Sequence, residues 1–207
     1  MKKIEIIWRE MLFRAIEKQN RRFTQKELSA KFGFSTSTVF QALKPARRSG
    51  AARVGGRFFT LEDPEKLLYH WASARNLSRE IIFSGRVDAP VFEIEGNLPP
   101  EAVFAGYSAA RFILNEPPAD YDKVYCYLPP EAGILTKLKK RFSFVKGPAN
   151  LFVLTADPFL QNYGQPRLNR GQKTSLAQTF VDLWNLTDWY GRDFSRAIKE
   201  KIDGFLS

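Results

Sequence analysis

The chain has 207 residues, 44 % apolar and 26 % charged, with 18 Phe, 7 Tyr and 4 Trp; this suits one large folded domain or two small ones and excludes a disordered segment. No run reaches the ~20 apolar residues of a membrane-spanning helix, so no membrane partner is expected. Charge is unevenly spread: residues 1–62 hold 14 Lys/Arg against 5 Asp/Glu and residues 63–207 hold 18 against 17, so the excess sits in the first third, as in a module that meets a polyanion.

Ile4, Ile7, Trp8, Met11, Leu12, Ala15 and Ile16 recur at helical spacing. Glu5, Arg9 and Glu10 interrupt the apolar run, which predicts an amphipathic helix and not a signal peptide. A polar connection, Asn20-Arg21-Arg22, follows. Thr24 and Glu27 have capping-box spacing and start a second helix, with Leu28 and Phe32 on one face. Gly33 permits a sharp turn, Phe34 points inward, and Ser35 caps a third helix. There Val39, Ala42, Leu43 and Ala46 fall on one side, and Ser37, Gln41, Lys44 and Arg48 on the other. Pro45 lacks a helical N–H and is expected to kink or end this helix nearby. Two β-prone pieces, Ala51–Val54 and Arg57–Leu61, are joined at Gly55-Gly56, which predicts a hairpin with a tight turn flanked by Arg53 and Arg57.

Helix, helix, short turn, helix, hairpin is the order carried by FTQKELSAKFGFSTSTVFQALKPARRSGAARVGG, which closely resembles the winged helix-turn-helix of bacterial regulators. The resemblance implies binding of double-stranded DNA with the third helix in the major groove. Thr36, Ser37 and Gln41 are then the candidate base readers, Gln41 by pairing with adenine. Phe40 touches a thymine methyl or is half-buried. Lys44, Arg47 and Arg48 are candidate phosphate clamps, and Arg53 or Arg57 enters the minor groove or holds its edge.

Asp63-Pro64 starts a fourth helix, with Leu67, Leu68, Trp71 and Ala74 on one face, linking the first module to the rest. His70, the only histidine, lies in it, so zinc sites built from His clusters are excluded on count and packing or exposure is its expected role. Beyond it, residues 79–87 and 91–96 are expected to be extended, 100–114 helical, 122–128 a strand, 130–142 a helix, 150–160 a strand and loop, and 175–206 helical with a break near Gly191. The fold class is therefore α+β: a winged helix-turn-helix over 1–62, then a mixed α/β domain over 63–207 for partner or effector contact. No glycine-rich phosphate loop is present, and no cofactor or metal is expected. The single Cys126 permits no intrachain disulfide, which fits the cytoplasm.

The segments FAGYSAARFIL (104–114) and SLAQTFVDLWN (175–185), placed after such a module, resemble the antitoxin regulators of abortive-infection systems (AbiEi-like). That resemblance implies a repressor that controls its own operon and neutralises a nucleotidyltransferase-like toxin; a stand-alone regulator, not an enzyme, fits the same architecture. The alternative is a Mg-dependent nucleotidyltransferase-like enzyme with Gly106 and Ser108 followed by Asp120 and Asp122 on one strand face and Asp157 as third carboxylate. Against it stands a turn in which Asp120 and Asp122 cap the backbone. The aromatic residues Phe180, Trp184, Trp189, Tyr190 and Phe194 read as core, or in part as a surface for a partner or self-association.

Overall fold

The computed structural model describes residues 1–131, 133–163 and 172–206, which build a mixed α/β architecture. The chain opens with α1 (Lys3–Glu17), β1 (Arg22–Phe23), α2 (Gln25–Phe32), α3 (Thr36–Arg48), β2 (Ala52–Val54) and β3 (Phe59–Leu61). The three strands form a small antiparallel sheet in the order β1-β3-β2. Local chemistry sets the helix starts. The Thr24 hydroxyl accepts from Glu27 N at 3.0 Å, and the Ser35 hydroxyl from Thr38 N at 3.2 Å. Gly33 ends α2 at φ 64°, a left-handed conformation that favours glycine.

Two expectations change in this region, the hairpin tip and the polar connection. The helix runs on through Pro45 and ends three residues later, at Arg48. Only one backbone bond is missing, to the carbonyl of the exposed Gln41, where water can replace it. The hairpin tip lies one residue later than predicted: Gly55 N still bonds Phe58 O at 2.8 Å, so Gly56 and Arg57 make the turn, and neither Gly55 nor Gly56 takes a positive φ. The stretch read as a polar connection contributes β1, too short to show a period.

The chain continues with α4 (Pro64–Ala74), β4 (Ile81–Val87), α5 (Val91–Gly96), β5 (Val103–Ala105), α6 (Gly106–Leu114), β6 (Val124–Leu128), α7 (Ile134–Arg141), β7 (Phe144–Val145), β8 (Leu151–Thr155), β9 (Gln172–Lys173), α8 (Leu176–Trp184) and α9 (Gly191–Leu206). The six later strands form one mixed sheet, β7-β4-β8-β6-β5-β9, with β6 parallel to β8 and β5 parallel to β9. Residues 91–96, expected to be extended, are helical: Pro90 opens a helix that buries Ile94. The expected helix over 100–114 begins only at Gly106, because Val103–Ala105 is a strand buried at every residue, a pattern that periodicity cannot tell from a buried helix.

Alternation along β6 divides the interior. Val124, Cys126 and Leu128 pack with Leu151, Val153, Ile94 and Leu138 on the α5/α7 face. Tyr125 and Tyr127 face the opposite cluster, which contains residues of α1, α4, α8 and α9. That cluster runs unbroken from Ile6 to Ile202, so the core does not divide at residues 62 and 63. Cys126 is fully buried, and burial pushes its thiol up to about 12. A thiol-reactive dye is expected to leave it unlabelled in the folded chain and to label it at the rate of unfolding as urea is added; fast labelling in buffer would contradict this burial.

Candidate nucleic-acid interface

The amphipathic pattern of α3 is realised in three dimensions. Val39, Ala42, Leu43 and Ala46 are buried, while Thr36, Ser37, Gln41, Arg47 and Arg48 are exposed and Lys44 is half-buried. Phe40 is 39 % exposed, with Lys44 Nζ 5.5 Å and the Arg47 guanidinium 6.0 Å from its ring centre. These cations can rest on the ring and swing to a phosphate. Arg47 and Arg48 also sit in the last turn, where the helix dipole favours positive charge.

On the hairpin, Arg57 is exposed at the turn, and Arg53 is exposed but paired with Glu62 at 2.8 Å. An exposed pair of this kind is worth about 0–1 kcal/mol, so Arg53 can exchange it for a phosphate. Two residues missing from the sequence-based set join this surface. The Arg22 guanidinium lies 3.4 Å from the Phe58 ring centre, and exposed Lys26 shares a cleft with the Gly55–Phe58 turn. A polar linker hides such residues, because only the pairing of β1 with β3 brings Arg22 to the hairpin.

What holds α3 comes from α1. Trp8 donates its indole N–H to the Ala42 carbonyl at 2.7 Å, and His70 packs edge-on against Trp8 at 5.0 Å. Burial lowers the His70 pKa, so its packing role suits the neutral ring. The charged residues that interrupt the apolar run of α1 are all buried: Glu5 at 4 %, Arg9 at 0 % and Glu10 at 1 % exposure. Arg9 grips Asp157 with two bonds of 2.7 Å. Glu10 accepts from Lys31 at 2.6 Å and from the Tyr163 hydroxyl at 2.7 Å. Glu5 accepts from Arg75 at 2.9 Å and from the Trp71 indole at 3.2 Å. Arg75 also reaches Asp182 at 3.1 Å and Tyr127 at 2.8 Å. One helix thus carries α3 on one side and is locked to α4, α8 and the sheet on the other.

The carboxylates of the enzyme alternative are not arranged as it requires. Asp120 and Asp122 lie in the irregular segment before β6, which begins at Val124, so no strand aligns them. Asp122 accepts from the Tyr190 hydroxyl at 2.7 Å, and Asp157 is taken by Arg9. Neither Asp120 nor Asp122 caps a turn among the described hydrogen bonds. The aromatic set divides: Phe180, Tyr190 and Phe194 are buried, while Trp184 is 50 % and Trp189 78 % exposed. The chain matches no protein-family model and no curated protein.

Proposed function

We propose that residues 1–62 form a winged helix and that the chain is a sequence-specific double-stranded-DNA-binding transcriptional regulator acting as a repressor. One observation carries the reading: α3 buries its whole apolar face and leaves its polar and cationic residues outward, beside a hairpin that bears Arg53 and Arg57 and has Arg22 of β1 packed on its Phe58 ring. In this role α3 enters the major groove, Thr36, Ser37 and Gln41 reach base edges, and Lys44, Arg47 and Arg48 hold phosphates. The hairpin cations follow the neighbouring backbone or minor groove.

The test is binding of the full chain to the DNA upstream of its own gene, against scrambled duplex, over a salt series. Preference for the upstream DNA that persists as salt rises supports a regulator; equal affinity for both overturns sequence-specific recognition. Gln41→Ala is expected to alter preference among sites by about 1–3 kcal/mol at one base position and to leave the salt slope unchanged. Unaltered preference in a panel of single-base variants would remove Gln41 from the readers.

A further inference from the structure

At the β7 end of the large sheet, the outer edge of β4 is covered over only two residues. β8 runs along the inner edge from Ile81 to Gly85, whereas β7 meets the outer edge only at Arg86 and Val87. On the β8 side the Gly85 carbonyl accepts from Asn150 N at 3.1 Å, and Val87 N donates to the Asn150 side chain at 2.7 Å. Strand alternation therefore turns the main-chain groups of Ser84 to the opposite edge. Among the described residues no strand lies there. Ser84 is exposed and Ile82 is 47 % exposed. The end of the paired stretch is set by Gly85: a Cβ there would stand 2.7 Å from the Phe144 ring, so glycine lets β7 close down on β4 at this point.

The surroundings of this edge are strongly cationic. From Ile134 to Lys146 there are five Lys/Arg and no Asp or Glu. Lys137, Lys139, Lys140, Arg141 and Lys146 are all exposed, and among the described residues none is held in an ion pair. Lys139 Nζ stands 4.3 Å from the centre of the Phe83 ring, which brings this charge onto β4 itself. A second copy of the chain is a poor occupant, since edge-to-edge pairing would bring the same cations together, and the register shift between Ile81 and Phe83 further disfavours self-pairing.

We propose that this edge docks an extended acidic segment of a partner protein, which adds as a strand beside Ile81–Gly85. Its side chains on the α7 side are carboxylates that meet Lys139 and its neighbours, and those on the other side are apolar and cover Ile82. Backbone bonds supply the pairing, and the cations select the charge of the partner.

The test uses the full chain and a fluorescein-labelled nine-residue peptide alternating glutamate and valine, read by fluorescence anisotropy. This peptide is expected to bind about tenfold or more tightly than the same peptide with lysine for glutamate, and less tightly as salt is added. Lys139→Glu with Lys140→Glu, at exposed positions, is expected to lower the affinity about tenfold. Ser84→Pro is expected to lower it as much, and slower amide exchange at Ser84 in the unaltered chain on saturation reads the same pairing without substitution. Three results would overturn the proposal. One is equal binding of the glutamate and lysine peptides. Another is equal binding of a peptide that keeps its glutamates but has proline for valine, which would leave charge without strand pairing. The third is a loss of duplex-DNA affinity in the double lysine variant with peptide affinity unchanged, which would assign the surface to nucleic acid.

Discussion

Arg75→Ala is expected to destabilise the folded chain by about 3–5 kcal/mol, the range for removing one partner from a buried ion pair. The Arg75 side chain is 1 % exposed and lies among Glu5, Asp182 and Tyr127, with Glu80 at 3.5 Å. Truncation leaves the carboxylates of Glu5 and Asp182 buried without their shared cation. Urea unfolding followed by circular dichroism measures the loss, and a change below about 1 kcal/mol would show that water or rearrangement relieves the charge. The effect should depend on pH. Burial pushes the Asp182 carboxyl up to about 6, against the opposing pull of Arg75 and Tyr127. A carboxyl with a raised folded-state pKa contributes stability that is full below the ordinary carboxylate range and is lost as pH rises through about 6. Asp182→Asn should therefore flatten the stability profile between about pH 4 and 6. The cost of Arg75→Ala should be smaller at the acidic end of that window, where Asp182 can be neutral.

Arg47→Ala with Arg48→Ala is expected to weaken DNA binding to a similar degree on every sequence and to reduce the slope of log affinity against log salt by about 0.9 for each phosphate that is no longer neutralised. Both residues are exposed at the end of α3 and face away from its packed side. Their removal should cost the fold no more than about 1–2 kcal/mol of helix-dipole stabilisation, so a chain that stays folded separates a binding defect from a folding one. The slope is the deciding readout, because counterions are released only where a cation meets a phosphate. An unaltered slope would exclude both arginines from the phosphate backbone and leave Lys44, Arg53 and Arg57 as the remaining predicted cations.

Much of the first sixty residues was legible in the sequence because caps and turns act over a few residues. Thr24, Ser35 and Asp63 each accept from a backbone N–H three residues on, and Gly33 turns the chain where a left-handed residue is needed. The exposed face of α3 followed from a period of 3.6. The proline in α3 stands three residues before the helix end, and the residue whose carbonyl loses its partner, Gln41, is exposed. The cationic end of the large sheet was hidden for another reason: averaged over residues 63–207 the charge nearly cancels, and only the fold sets the run at residues 137–146 against β4, with Lys139 over the Phe83 ring.

By itself the sequence determined the local elements: where α2, α3 and α4 begin, which face of α3 is apolar, and that the first third carries the positive charge. Only the tertiary structure decided the role of α1. Glu5, Arg9 and Glu10 look like the solvent side of an amphipathic helix, yet they are buried because their partners stand 70, 148 and 153 residues further along the chain. Helical period reports which residues share a face. Whether a charged face meets water or a counter-charge depends on long-range packing, and burial is tolerated here because Arg75, Asp157 and Tyr163 converge on it.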